Sequence, residues 1–297
     1  MFNLVYANSK LKQELEEPKG LYPVEVCEEI AELIKILKRD GQLTKTDFFD
    51  SNTHRVSGRT LYLFYRPQFV SPNNDIGKGE VLIIGAQIKP ADVFTQRFSL
   101  KDEWDDKDVI GTLPQYDNPK KLIEALRLIH QGVLDSYDLG YKLGHRARKT
   151  KDVRRHGSYA QTALEELKLI MRIRKGRFLL PHLTEQGKLI AESSSEKIAV
   201  ELLIKSMLNY PPIWQIISAV THRAGELSPD KVLTDELVKG LIFPEILHQV
   251  NTSTRRSQTL KSWVKWVSNS SGIPIWICNE GLQLPIPMLY AEVDILK

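Results

Sequence analysis

The chain has 297 residues, of which 42% are hydrophobic and 26% charged, and its formal net charge is +4. This composition is typical of a globular protein and excludes a wholly disordered chain, while the lack of any apolar run near the ~20 residues of a membrane-spanning helix argues against a membrane protein. The N-terminal residues become charged almost at once and do not resemble a signal peptide. The two cysteines, Cys27 and Cys278, are too far apart in sequence to suggest a disulfide scaffold or a cysteine-based zinc site. We therefore expect a cytoplasmic protein.

Residues 1–115 are predicted to form a small α+β unit. Apolar residues at helical spacing in 24–40 (VEVCEEIAELIKILKRD) predict a helix that ends at Gly41. Two runs rich in apolar and aromatic residues, 59–65 and 80–88, predict strands. The acidic stretch KDEWDDKD that follows is the best candidate for a domain boundary.

Residues 116–212 are predicted to form a first winged helix with trailing helices. The third helix begins near Thr150 or, if Gly157 breaks it, at Ser158, and Ser136 is the expected cap of the second helix. A tight hairpin is expected around Lys175-Gly176, and the spacing of its cations, Arg172, Arg174, Lys175 and Arg177, is expected to aim alternate cations at one side of it. Helices are predicted over residues 119–130, 136–143, 184–192 and 196–208. Three helices followed by a basic hairpin is the order of a winged helix.

Residues 213–297 are predicted to form a second winged-helix-like domain. Its helices are expected over residues 234–241, 243–250 and 253–267, and its hairpin turns at Asn279-Glu280-Gly281. The predicted fold class is therefore α+β, with an N-terminal α/β unit followed by tandem winged-helix (helix-turn-helix) domains.

Basic residues are concentrated in one part of the chain. Residues 141–178 contain 12 lysines and arginines against three acidic residues. Such a local excess suits a phosphate backbone, although a solvated helix face would also account for it.

The first candidate DNA-binding segment covers residues 146–162 and the hairpin that follows. With Val153 and Ala160 facing inward, we expect Arg154, Ser158, Gln161 and Thr162 to face outward together. Arginine and glutamine read base edges in the major groove, and hydroxyl groups bind phosphates. The candidate residues are Arg146, Arg148, Lys149, Lys151, Arg154, Arg155, Ser158, Gln161, Arg172, Arg174, Lys175 and Arg177.

The second candidate segment lies in residues 251–265, which contain no acidic residue. The hydroxyl-rich start of this predicted helix suits a phosphate. Its outward face is expected to carry Arg255, Gln258, Thr259 and Ser262, while Trp263 anchors the inner face. A capped surface helix is the alternative interpretation. The candidate residues are Thr252, Ser253, Thr254, Arg255, Arg256, Gln258, Thr259 and Lys261.

Two stretches resemble a known family. The run from ALRLIHQGVL through RHGSYAQTALEELKLIMRIRKGRFLLPHLTEQGKLIAES resembles a winged-helix DNA-binding family of prokaryotic restriction and defence loci, and TRRSQTLKSWVKWV resembles the second helical signature of that family. The pair is also similar to the two-winged-helix DNA-recognition regions of modular type II restriction enzymes. The resemblance covers about residues 119–281. The basic insertion RKTKD differs from the family pattern, so no base preference is carried over.

This resemblance and the basic segments predict a sequence-specific double-stranded DNA-binding protein, the recognition component of a prokaryotic restriction or defence system. Its expected partners are double-stranded DNA and a nuclease, methyltransferase or ATPase from the same locus, with a homodimer as a further option. No cofactor and no membrane contact are expected. A replication initiator, which is also built on paired winged helices, and a transcriptional regulator are alternatives.

A further alternative is a Mg²⁺-dependent type II restriction endonuclease whose nuclease site lies in the N-terminal unit. Nucleases of the PD-(D/E)xK type place an aspartate before a strand and an acid-x-Lys on it, which hold Mg²⁺ and activate water. Here Asp75 precedes a predicted strand that ends in Gln87 and Lys89, and Glu28 or Glu32 is available on the preceding helix. Because Gln87 is neutral where an acid is needed, we expect no cleavage with Mg²⁺ or Mn²⁺.

Overall fold

The fold is taken from a computed structural model of the chain, which describes residues 1–49, 52–68, 79–100, 113–222 and 250–273. Side chains are described for these residues except 68, 222 and 250–254. None of the helices in this described part of the chain is both long and apolar enough to cross a membrane.

The described residues divide into two compact units by their internal contacts. Unit 1 comprises residues 1–49, 52–68, 79–99, 218–222 and 272–273, and unit 2 comprises residues 100, 113–217 and 250–271. The division into three segments, with boundaries near residues 115 and 212, stays a prediction.

Unit 1 is built on a mixed five-stranded sheet in the order β1-β5-β4-β3-β2. Strand β1 pairs with β5 in parallel, and the remaining neighbours pair antiparallel. Its elements are β1 (Asn3–Tyr6), α1 (Ser9–Glu16), α2 (Val24–Asp40), β2 (Thr46–Phe48), β3 (His54–Ser57), β4 (Leu61–Gln68), β5 (Glu80–Ile88) and α3 (Pro90–Phe98).

Helix α2 forms because its apolar residues share one face, which is buried at Val26, Ile30 and Leu37. It ends where Gly41 takes the left-handed conformation, with φ of 70°. The predicted helix over these residues and the strand over Glu80–Ile88 are confirmed. The four short elements β1, α1, β2 and β3, together with α3, were not predicted.

Unit 2 is mainly helical with one two-stranded hairpin, β6-β7. Helix α4 packs against α6, α7 and β7, and α5 packs along α6. The elements are α4 (Pro119–His130), α5 (Ser136–Lys142), α6 (Thr150–Glu166), β6 (Ile170–Lys175), β7 (Phe178–Leu183), α7 (Glu185–Glu192), α8 (Glu196–Leu208), α9 (Pro211–His222) and α10 (Val250–Ser271). The last residues of α9, from 218, are counted with unit 1.

Several predictions for unit 2 are confirmed and one is wrong. The helices over Pro119–His130 and Glu196–Leu208 and the hairpin occur as expected. Of the two starts left open for the third helix, the one near Thr150 is confirmed, because Gly157 does not break α6. The predicted cap of α5 is wrong: it is Asp135 instead of Ser136, because the Asp135 carboxylate accepts from the backbone N–H groups at the start of the helix. The two prolines at 211 and 212 begin α9, since proline is well suited to the first helical turn.

The described residues thus form a mixed α+β structure with one five-stranded and one two-stranded sheet. The predicted helix over 234–241, all but the last residue of the one over 243–250, and the hairpin at 279–281 lie outside the described residues. The predicted helix over 253–267 is part of the longer α10.

Candidate nucleic-acid interface

Helices α5 and α6 approach each other closely at two glycines. A Cβ atom on Gly157 would lie 1.9 Å from the carbonyl oxygen of Ser136, and one on Gly140 would lie 2.2 Å from that of Val153. Real Cβ atoms essentially never come within 3.0 Å of such neighbours, so a larger residue at either position would push the two helices apart. This contact fixes the rotation of α6 about its own axis.

Gln161 belongs to the buried face of α6 and is only 4% exposed. Its Nε2 donates to the Leu134 carbonyl oxygen at 3.1 Å, and its Oε1 accepts from Ser136 Oγ at 3.0 Å. The prediction that Gln161 faces outward was therefore wrong, because the glycine contact turns this side of α6 toward α5. The buried residues of α6 are Val153, Gly157, Ala160, Gln161, Ala163 and Leu164.

The opposite side of α6 carries Lys151, Arg155, Ser158 and Thr162 at successive spacings of four, three and four residues, so they follow one line along the helix. Lys151 and Arg155 are exposed, and Ser158 and Thr162 are half-buried. Arg154 lies beside this line, is exposed, and pairs with the Asp135 carboxylate at 3.2 Å. The solvent face of α6 is therefore formed by the line that contains Lys151 and Arg155. Of the two residues predicted to read bases there, Arg154 lies beside this line and Gln161 is buried.

Further cations precede the solvent face at the start of α6. Arg148, Lys149 and Lys151 are exposed, and within the described ranges none of the three forms an ion pair. Arg146 is engaged locally, because it donates to the Tyr141 carbonyl oxygen and its guanidinium lies 3.9 Å from the centre of the Tyr141 ring. The first turn of α6 and the two residues before the helix therefore present three cations that are free to meet an anion.

The hairpin is joined to α6 through Arg172. Its Nη2 donates to Thr162 Oγ1 at 2.9 Å, and its Nε lies 3.1 Å from a carboxylate oxygen of Glu165. Arg172 is half-buried in these contacts, so its charge is largely committed within the protein. Its main role is to hold the hairpin beside the helix.

The other hairpin cations project from the tip. Arg174, Lys175 and Arg177 are exposed, and Arg177 lies over the Phe178 ring at 5.1 Å from its centre. The strand alternation places Arg172 and Arg174 on one face of the hairpin and Lys175 on the other. The predicted alternation of cations toward one side thus holds for two of the four residues.

Helix α10 contributes Arg255 and Gln258, which are both exposed. Trp263 is 0% exposed, and its Nε1 donates to the Tyr116 carbonyl oxygen at 2.7 Å, which confirms the predicted inner anchor. Thr259 is buried with its hydroxyl donating to the Arg255 carbonyl oxygen at 3.3 Å, so its predicted outward orientation was wrong.

The remaining candidates of the second segment are less accessible. Arg256 and Lys261 are half-buried. Thr252, Ser253 and Thr254 lie in α10, whose described part begins at Val250, and their side chains are outside the described residues.

The nuclease-like residues of unit 1 lie at the end of β5. Gln87 is 0% exposed, and neither atom of its amide has a hydrogen-bond partner among the described residues. Lys89 is 8% exposed, and its Nζ donates to Ser57 Oγ at 2.7 Å and to the Gly58 carbonyl oxygen at 2.5 Å. Burial lowers the pKa of the Lys89 ammonium, while the carboxylates of Asp92 and Glu29 oppose that shift.

Glu29, which the sequence did not single out, holds the same turn from α2. Its buried carboxylate accepts from the backbone N–H of Arg59 and of Thr60, the latter at 2.6 Å, and from Thr60 Oγ1. Glu28 and Glu32 are exposed. Lys89 and Glu29 therefore stabilise the turn between β3 and β4. Asp75 lies outside the described residues, so the nuclease hypothesis stays a prediction.

Among the described residues there is no cluster of three or more His, Cys, Asp or Glu side chains that could hold a metal ion.

Comparison with known proteins yields one family. A model described as a domain of unknown function (DUF7226) matches residues 127–271, just under half of the chain. No match to the chain was found among curated proteins or among solved structures. The matched range begins inside α4 and ends at the last residue of α10, so it includes both predicted DNA-binding segments.

Proposed function

We propose that the protein binds double-stranded DNA in a sequence-specific manner through the solvent face of α6 and the tip of the β6-β7 hairpin. The observation that carries this proposal is the line of Lys151, Arg155, Ser158 and Thr162 on α6, preceded by two further free cations. Exposed cations at one helix end supply phosphate contacts, and arginine and hydroxyl side chains further along can reach base edges.

We interpret α4, α5, α6 and the hairpin as a winged helix, with α6 as the recognition helix. The close contact of α5 and α6 at two glycines supports this interpretation, because a helix-turn-helix needs a short, rigid pair of helices. A second winged helix formed around α10 is part of the proposal and rests on the sequence pattern of residues 213–297.

The biological setting that we propose is the cytoplasm of a prokaryote, where the protein would be the DNA-recognition component of a restriction or defence system. This setting is supported by the resemblance of residues 119–281 to a family of such loci. A nuclease, methyltransferase or ATPase from the same locus would then be its partner.

The proposal is tested by measuring the affinity for duplex DNA over a range of salt concentrations. The variant Arg148→Ala/Lys151→Ala removes two exposed cations and should flatten the slope of log K against log salt by about 2, since each lost phosphate contact removes roughly 0.9 from the slope. The variant Arg174→Ala/Lys175→Ala should do the same if the hairpin tip meets the backbone.

The matched control is Lys197→Ala/Lys205→Ala, which removes the same charge from exposed positions of α8. Its slope should stay close to that of the parent. An equal loss of slope in the control and in the α6 variant would contradict a defined interface. Sequence reading is tested by selection from a random duplex library, in which Arg155→Ala should relax the consensus at particular positions.

A further inference from the structure

Unit 2 has a groove between α6 and α10. It consists of two adjoining cavities of about 430 and 750 Å³, which share Gln115, Asp117, His156 and Tyr159 as lining residues. Helix α10 forms the opposite wall with Arg255, Gln258, Ser262 and Lys265, and residues 115–121 also line the groove. We call this feature the α6–α10 groove. Cavities of this size accommodate small ligands.

The α6–α10 groove is strongly cationic. Its lining residues include five lysines and arginines and two carboxylates. Lys120, Lys265 and Arg255 are exposed and form no ion pair within the described part of the chain. The other two cations of the groove have partners within the protein, because Lys121 pairs with Glu124 at 2.6 Å and Arg155 donates to Tyr159. The two carboxylates of the groove belong to Asp117 and Asp152. Lys120 and Lys265 line the same 750 Å³ cavity and suit an anion such as a phosphate, whereas Arg255 lines the adjoining 430 Å³ cavity.

Planar rings line the same groove. The rings of His145 and His156 are stacked with their centres 3.8 Å apart and their planes at 8°. Tyr159 stands edge-on to His156, with ring centres 6.3 Å apart and planes at 79°. Trp266 is half-buried, and its Nε1 is buried without a hydrogen-bond partner among the described residues. Rings of this kind bind nucleobases by stacking.

From the cations and rings together, we infer that the α6–α10 groove binds a nucleotide in its 750 Å³ cavity, with the phosphate at Lys120 and Lys265 and the base against the rings. The nucleotide could be free or could belong to a single-stranded segment of nucleic acid, because the recognised chemistry is the same. This site is separate from the proposed duplex interface, since only Arg155 belongs to both.

The inference is tested by calorimetric titration of the full chain with deoxyadenosine monophosphate, with deoxyadenosine and with deoxyribose 5-phosphate. The nucleotide should bind at least about tenfold more tightly than either fragment, because each fragment lacks one set of contacts. A hexathymidylate strand and a blunt duplex complete the series. Tighter binding of the strand than of the mononucleotide assigns the site to a nucleic-acid segment, and the reverse assigns it to a free nucleotide.

Two variants locate the binding. Lys120→Ala/Lys265→Ala should weaken nucleotide binding about tenfold or more, and Trp266→Phe should weaken the base-dependent part while it retains a packed ring. The control Lys197→Ala/Lys205→Ala carries the same charge change outside the groove and should bind as the parent does. Failure of both the mononucleotide and the single strand to bind, or equal weakening in the control, would overturn the inference, whatever the duplex does at the proposed duplex interface. The salt slope for duplex DNA, measured with the Arg148→Ala/Lys151→Ala variant, reports on the proposed duplex interface alone. Failure of the nucleotide site is therefore not mistaken for failure of the duplex interface, or the reverse.

Discussion

Substitution of Gly157 by alanine is the sharpest test of how unit 2 is assembled. In an exposed helix interior this change would stabilise α6 by about 1 kcal/mol, because glycine has a low helix propensity. In this protein the added Cβ would lie 1.9 Å from the Ser136 carbonyl oxygen, and ordinary contact begins at 3.4 Å. Helix α5 would therefore have to move away by about 1.5 Å to remove the overlap.

The size of the effect follows from what that movement breaks. A shift of α5 would disturb the hydrogen bonds of Gln161 with Ser136 and Leu134 and open the packing around Val153. Overpacking alone costs about 1–3 kcal/mol, and each disrupted buried hydrogen bond adds about 1 kcal/mol. After subtraction of the helix gain, we expect Gly157→Ala to lower the free energy of unfolding by about 3 kcal/mol.

Thermal unfolding followed by circular dichroism measures this loss. A change of about 3 kcal/mol lowers the melting temperature by roughly 6–12 °C in a unit of this size. Ser158→Ala, at the neighbouring half-buried position, is the matched control and should change stability by no more than about 0.5 kcal/mol. An unchanged or raised melting temperature for Gly157→Ala would refute the close contact and the rotation of α6 that depends on it.

Two further predictions concern buried groups of unit 2. Trp263→Ala should lower the free energy of unfolding, measured in urea titrations, by about 3–5 kcal/mol. Trp263→Phe should lower it by a smaller amount, because the phenyl ring still fills part of the site although the Tyr116 carbonyl oxygen loses its donor. Equal losses in the two variants would contradict this assignment. Burial lowers the pKa of His145 below its ordinary value of 6.5, and the nearby His156 and Lys121 lower it further. The unfolded chain therefore binds the proton more readily than the folded chain does, so stability should fall as the pH drops below 6.5. His145→Gln should reduce this loss between pH 7 and pH 5 and His182→Gln, at an exposed site, should not; identical pH profiles for the parent and His145→Gln would contradict the shift.

The helices of unit 2 were predictable because their signals are local. Pro119–His130 has apolar residues at helical spacing behind a proline in its first turn, and the structure has the helix at those bounds. The hairpin has a glycine at its turn, where Gly176 takes φ of 61°. Such patterns depend on residues that are neighbours in sequence.

The orientation of α6 could not be predicted from its apolar pattern. Val153 and Ala160 define only an approximate face, and Gly157 adds no apolar side chain to that pattern, although it determines the contact with α5. Gln161 is polar but buried, because two partners outside α6 satisfy its amide. The pair of glycines, Gly140 and Gly157, is the signal in the sequence that could have revealed the rotation.

The short elements of unit 1 depend on distant partners. Strand β1 has four residues and pairs with β5, which lies more than 70 residues later in the chain. The role of Glu29 is equally non-local, since its carboxylate stabilises a turn 30 residues away. Neither a four-residue strand nor a single buried acid has a periodic pattern of its own.

The position of α10 changes how the two basic segments must be understood. Their placement in separate winged helices stays a prediction. Among the described residues, Trp263 of α10 is buried in the same compact unit as α6, and its Nε1 donates to the carbonyl oxygen of Tyr116, just before α4. The matched family range, residues 127–271, also includes both helices. Helices α6 and α10 therefore belong to one compact unit, and Arg155 and Arg255 line the same cavity between them. Because Arg155 belongs both to the solvent face of α6 and to the groove, its substitution is the change that we expect to affect both proposed sites.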